Sequence, residues 1–205
     1  MEYKRPEFVY FDLGNVLLFF DHGIALRRMA KLAGVPYDRM RSIVMDSNLQ
    51  LEYETGLISG ADFVDRIAAS VGKVLDTDEM LQAAADMFVP NPHILPVLEK
   101  VRTMGIPIGL LSNTCEAHWK LILELSYPQV RDWFSPIILS YEVRSMKPDP
   151  GIYLEAQKRS GYPHESIFFT DDRDDNVAAA RALGWHAEVF VNADRLMQSV
   201  ERWQS

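Results

Sequence analysis

Four short stretches of the chain carry groups from which a phosphoryl-transfer centre can be built. Asp12 follows the run Phe8-Val9-Tyr10-Phe11 and precedes Gly14 and Asn15. Ser112-Asn113-Thr114 follows Ile106-Pro107-Ile108-Gly109-Leu110-Leu111. Lys147 lies in Ser145-Met146-Lys147-Pro148-Asp149-Pro150, and Asp171-Asp172 follows Ile167-Phe168-Phe169-Thr170. A carboxylate can attack phosphorus and form an acyl phosphate, dividing a hard hydrolysis into two easier steps. The phosphoryl oxygens then need positive charge around them, and Lys147 can supply one. The Ser112 hydroxyl and the backbone N–H groups near Asn113, at a helix N-terminus, can hold a phosphate oxygen. Asp171 and Asp172 close to Asp12 would repel it without a cation. A hard divalent ion with oxygen ligands resolves that, and Mg²⁺ suits carboxylates, waters and phosphate together. Taken singly, each stretch has a plainer reading. Asp12 is a turn residue or cap, Ser112-Asn113-Thr114 a helix N-cap, Lys147 a solvated loop lysine, and Asp171-Asp172 part of a solvated acidic turn. Their order and shared strand-end placement favour the joint reading.

For these groups to meet, the runs before them must be neighbouring strands. β-Branched and aromatic residues in short apolar runs fit a buried sheet. Strands are expected at Phe8 to Phe11, Ile106 to Leu111, Ile137 to Leu139, Ile167 to Phe169 and Ala187 to Val191, with helices between them. That alternation predicts an α/β fold: a Rossmann-like parallel sheet core with helices on both faces. Ligands bind at the C-terminal ends of such strands. Between Asp21 and Val89 the pattern is helical, with no clear strand. Asp21 is the expected cap of a helix stopped by Gly34, and Tyr37 to Tyr53 has a weaker helical pattern. Ser59 with Asp62 reads as a capping box, and Asp76 with Glu79 repeats it. A further helix is expected through Trp119, Leu121, Ile122 and Leu125. Residues 1–20 and 90–205 are thus expected to form the core, and 21–89 a small inserted all-helical cap.

Composition narrows the function classes. The chain has 205 residues, 48% of them hydrophobic, and a net charge of −8, which argues against a nucleic-acid partner. No apolar run is long enough to cross a bilayer, so no membrane partner is expected. Met1-Glu2-Tyr3-Lys4-Arg5-Pro6-Glu7 holds no apolar stretch and does not read as a secretory signal. A single cysteine, Cys115, excludes an internal disulfide and fits a reducing, cytoplasmic location. Its place near a helix N-terminus could lower its pKa, but a small packed thiol is the simpler reading. The five histidines lack metal-ligand spacing and are expected on the surface or in packing. Arg173 either faces the pocket or is solvated. Nothing in the sequence speaks to oligomeric state.

Asp12-Leu13-Gly14-Asn15-Val16, Leu111-Ser112-Asn113, Lys147-Pro148 and Thr170-Asp171-Asp172 resemble, in order, the four motifs of the haloacid dehalogenase superfamily. The helical insertion matches the position of that family's cap, and Tyr53-Glu54-Thr55-Gly56-Leu57-Ile58-Ser59 is similar to a segment common in such caps. The first motif and the paired aspartates are similar to the bacterial α-D-glucose-1-phosphate phosphatase branch. The resemblance implies Asp12 as nucleophile and metal ligand, the Gly14 carbonyl as a second ligand, Asp172 as a direct ligand and Asp171 as a direct or water-mediated one. It implies phosphate binding by Ser112 and Asn113, and a Lys147 that orients the nucleophile and stabilises charge.

One position departs from the pattern. Phosphatases of the family usually carry a second aspartate where this chain has Gly14, and it serves as general acid and base. Such a group is worth roughly 10²–10⁴-fold in rate. Asp21, His22 and Glu54 are the nearby candidates to replace it. The expected activity is Mg²⁺-dependent hydrolysis of a small phosphorylated metabolite, with a sugar phosphate as one candidate, through an aspartyl-phosphate on Asp12. The alternatives are a phosphate- and metal-binding protein without turnover, and a 2-haloacid dehalogenase.

Overall fold

The computed structural model describes residues 5–124 and 128–203. In chain order, β1 (Phe8–Phe11) is followed by β2 (Leu18–Phe20). Then come α1 (His22–Ala33), α2 (Tyr37–Arg41), α3 (Leu49–Glu54), α4 (Gly60–Val71), α5 (Thr77–Ala85) and β3 (Phe88–Pro90). The chain continues through α6 (Leu95–Thr103), β4 (Ile108–Ser112), α7 (Glu116–Glu124), α8 (Pro128–Trp133), β5 (Phe134–Leu139) and α9 (Ser140–Val143). It ends with α10 (Pro150–Ser160), β6 (Ile167–Asp171), α11 (Asp174–Ala182), β7 (His186–Val189) and α12 (Ala193–Arg202).

Five strands form a parallel sheet in the order β5-β4-β1-β6-β7. β1 is central, with β4 on one side and β6 on the other, so the chain reverses its direction of progress across the sheet there. A crevice opens at the C-terminal ends of strands at such a point. Phe11 pairs with Leu110 and with Thr170, so Asp12 leaves the sheet level with Leu111 and Asp171. Alternation along β1 divides its side chains between two cores. Val9 and Phe11 pack with Val97 and Leu98 of α6 and Leu196 and Val200 of α12. Phe8 and Tyr10 pack with Ile152 and Tyr153 of α10 and Val177 of α11. All four β1 residues are buried, and each such large apolar side chain contributes about 1.5–3 kcal/mol on burial.

The helical insertion has its own core, in which Leu26 and Met29 of α1, Phe63 and Ile67 of α4 and Met80 of α5 meet. α1, α4 and α5 begin on the capping residues expected. Asp21 accepts from the Gly23 N–H, and Gly34 closes α1 in the left-handed region. Ser59 and Asp62 form a reciprocal capping box. Asp76 accepts from the Glu79 N–H to open α5.

Two expectations need correction. Strands do flank the insertion, because β2 and β3 pair antiparallel, Leu18 with Pro90 and Phe20 with Phe88. Tyr37 to Tyr53 is not one helix. α2 runs into a π-helical turn at Ser42–Asp46, and α3 starts afresh after Asn48, whose φ is +63°. Leu125, expected in the α7 helix, and Met1-Glu2-Tyr3-Lys4 lie outside the described residues. Among the described residues, no helix is long and apolar enough to cross a membrane.

Candidate active site

Asp12, one residue past β1, is buried and points at Lys147. The Lys147 ammonium donates to Asp12 Oδ1 at 2.6 Å, to Asp171 Oδ2 at 2.6 Å and to the Leu111 carbonyl at 2.8 Å. These three acceptors satisfy the three donors of a lysine. Lys147 stands in the loop between α9 and α10, so its backbone needs an anchor of its own. Asn113 provides it: its Oδ1 accepts from the Lys147 N–H and its Nδ2 donates to the Lys147 carbonyl, both at 2.8 Å. The Asn113 side chain is thus engaged with the Lys147 main chain.

Asp171, the last residue of β6, is fully buried. Its Oδ1 accepts from the Arg173 N–H at 2.9 Å, and Asn176 Nδ2 donates to both of its oxygens at 3.0 and 3.1 Å. Asn176 is steadied by α10, because its carbonyl accepts from the Tyr153 hydroxyl at 2.8 Å. Asp172 is half-buried and accepts from Asn15 Nδ2 at 2.8 Å. Asn15 makes that contact from a left-handed conformation, φ +54°, which asparagine tolerates better than most residues. One oxygen from each of Asp12, Asp171 and Asp172 falls within 4.8 Å of the others.

A cavity of ≈ 680 Å³ opens over this cluster, the size of a small-metabolite site. Its floor includes Asp12, Gly14, Ser112, Asn113, Lys147 and Asp172. Ser112 is buried, and among the described residues its hydroxyl reaches only the neighbouring Asn113 carbonyl, at 3.4 Å, too long for a strong bond. From the helical insertion, His22, Leu51 and Glu54 line the same cavity; His118 of α7 lines it from the core. Of the three candidates near Gly14, His22 and Glu54 therefore reach the cavity. Asp21 instead caps α1 and faces Arg27 at 3.7 Å. Gly14 itself lies under Phe20, where a Cβ would come within 2.7 Å of the ring.

Burial sets the electrostatics. It raises the Asp12 carboxyl to about 7, although Lys147 pulls it down. Burial works to lower Lys147, but Asp12 and Asp171 outweigh it and hold the ammonium above its ordinary value. Burial also raises Glu54, against the hydrogen bond from Gln50. It lowers His22, and it lowers His118 to about 3 with His22 adding to the effect. Cys115 is fully buried and burial pushes its thiol up, so the helix end does not activate it. Arg173 sits at the cavity edge, exposed, with its guanidinium on Asp175 at 2.6 Å.

Three contributors went unread in the sequence. Asn15 was visible only as a turn former, His118 only as a packing histidine, and Asn176 carried no signal. The chemistry of the assembled site is consistent. Three carboxyl groups cluster around a site with one ammonium, an acidic excess in an all-oxygen setting. A hard dication fits both the charge and the donor type.

A family model for haloacid dehalogenase-like hydrolases matches residues 8–184. The chain is 26% identical to D-ribitol-5-phosphate phosphatase of Bacteroides thetaiotaomicron over 183 residues, which is 86% of this chain and 88% of that protein. It is 25% identical to (S)-2-haloacid dehalogenase of Pseudomonas fluorescens over 171 residues, 82% of this chain and 71% of that one. A crystal structure of a haloacid dehalogenase family enzyme from Bacteroides thetaiotaomicron, in complex with magnesium and inorganic phosphate, aligns with a TM-score of 0.80. Its sequence identity is 28%, and the alignment covers 90% of this chain and 93% of that one.

Proposed function

This chain belongs to the family of haloacid dehalogenase-like hydrolases, and from that premise we propose that it is a Mg²⁺-dependent phosphatase acting on a small sugar or polyol phosphate. The observation that carries the proposal is Asp12 at the mouth of the central strand, 2.6 Å from Lys147 and clustered with Asp171 and Asp172. Asp12 attacks phosphorus and the ester P–O bond breaks, leaving an aspartyl-phosphate that water hydrolyses. Lys147 orients the nucleophile and offsets charge on the transferring oxygens. The Ser112 hydroxyl and the Asn113 main chain hold the phosphate. When bound, Mg²⁺ would be held by Asp12, the Gly14 carbonyl and Asp172, and would supply the charge that draws phosphate to a carboxylate-rich floor. Both Asp171 oxygens already accept protein hydrogen bonds. Asp171 therefore supports the site through water and by positioning Lys147.

Residues 21–89 form the cap in this reading, over a core made of 1–20 and 90–205, and they exclude water while the covalent step proceeds. The named polyol-phosphate phosphatase among the relatives supports the substrate class. A reducing cytosol suits the lone thiol. The test is phosphate release from a panel of sugar and polyol phosphates. Release that needs Mg²⁺, stops with a chelator and is lost in Asp12→Asn is the expected result. No release from any ester would overturn the proposal, and binding without release would identify a non-catalytic phosphate receptor.

A second reading, 2-haloacid dehalogenation, is favoured by the Pseudomonas relative. It needs no metal, so it leaves the three-carboxylate cluster without a purpose. Chloride release from (S)-2-chloropropionate in the absence of Mg²⁺ would establish it.

A further inference from the structure

Cleaving a sugar or polyol phosphate expels an alkoxide, which leaves far faster if it is protonated as the bond breaks. Gly14 offers no side chain for this, and the Phe20 ring fills the space beside it. The proton must come from elsewhere in the cavity. Asp12 and Asp172 belong to the acidic cluster. Asp149 caps α10, accepting from the Gly151 N–H at 2.7 Å and from Ser145 at 3.2 Å. Burial lowers both His22 and His118 and so disfavours the imidazolium, the form of histidine that could act as an acid here. Arg173 is permanently charged and paired with Asp175.

Glu54 remains. Its Oε1 accepts from Gln50 Nε2 at 2.8 Å, and no protein group among the described residues bonds its other oxygen. Its position is fixed relative to the phosphate-holding loop by one buried hydroxyl. Ser140 Oγ donates to the Glu54 carbonyl at 2.6 Å and accepts from the Thr114 N–H, two residues past Ser112, at 2.9 Å. Two residues on, Gly56 packs so closely on the Tyr141 carbonyl that a Cβ there would lie 2.1 Å from it. The end of α3 is therefore seated on the core, and Glu54 lines the cavity.

We propose that Glu54 is the general acid and base of this reaction. Its carboxyl gives a proton to the leaving oxygen as the ester P–O bond breaks and the Asp12–phosphorus bond forms. The resulting carboxylate then takes a proton from the water whose oxygen attacks phosphorus. Asp12 leaves, inorganic phosphate forms, and Glu54 is again protonated. Burial, which raises the Glu54 carboxyl, acts in the direction this role needs.

The inference rests on the phosphatase reading, and leaving-group dependence separates the two. Glu54→Gln is nearly isosteric and keeps a partner for Gln50. An alkyl phosphate that the wild type turns over should be hydrolysed roughly 10²–10⁴-fold more slowly by the variant. 4-Nitrophenyl phosphate, whose leaving group needs no proton, should give a burst of about one nitrophenolate per site and then a slow phase as aspartyl-phosphate accumulates. Unchanged alkyl-ester turnover would overturn the inference and leave the phosphatase reading intact. So would an equal loss on both esters with no burst. As a second arm, formate added to Glu54→Ala should restore part of the alkyl-ester rate, and no restoration would count against the role. Failure of the wild type on every ester would instead remove the phosphatase reading itself.

Discussion

The Lys147 ammonium is buried between two carboxylates, with side-chain exposures of 1% for Lys147, 9% for Asp12 and 0% for Asp171. Removing one partner of such a group leaves uncompensated buried charge, at about 3–5 kcal/mol. Lys147→Met is therefore expected to lower unfolding free energy by about that amount in urea titration and to reduce phosphate release by at least ~10²-fold. Lys147→Arg should not rescue it, because a planar fork cannot meet three acceptors arranged around a point charge. That Asp12, Lys147, Asp171 and Asp172 come together was legible because each ends a recognisable apolar run or lies in the loop after one. Asn113 was legible as a site residue, but its clamp on the Lys147 backbone was not, since that depends on a loop meeting a strand end from elsewhere in the chain. Phe20 over Gly14 was hidden for the same reason.

At the level of elements, α3 and α9 are joined through Ser140, which serves the Thr114 N–H and the Glu54 carbonyl at once. Ser140→Ala would leave the buried Thr114 donor unpaired, a loss of about 1–3 kcal/mol. Urea unfolding should report that loss, and amide exchange should quicken at Thr114. Unchanged exchange there would contradict the role given to this hydroxyl. Long periodic helices such as α4 were legible from their caps and apolar spacing. β2 and β3 were not, because three-residue strands are too short for an alternation signal and each pairs with a distant partner. The interruption at Asn48 was also hidden, since the π turn before it keeps helical spacing.

For the whole molecule, buried groups shifted in opposite senses shape stability against pH, His118 and Glu54 among them. His118 has its folded-state pKa depressed from 6.5 to about 3. It therefore contributes stability that is fully present above 6.5 and lost as pH falls toward about 3. Glu54 is raised, so its contribution is present at low pH and lost as pH rises through its folded value. His118→Asn removes the first of these, so its urea midpoint should fall less than that of the wild type between about pH 7 and about pH 4. Equal falls would show that His118 does not govern the acid side.

Gly56 meets Tyr141 through main-chain atoms on both sides. At this contact the docking of the helix end does not depend on side-chain identity, whereas the Ser140 link beside it does. Cavity-lining positions such as Leu51 can be exchanged while the joint keeps its alignment. Retargeting such an enzyme to a new ester then becomes a matter of repainting one wall, with glycine 56 as the position that must stay untouched.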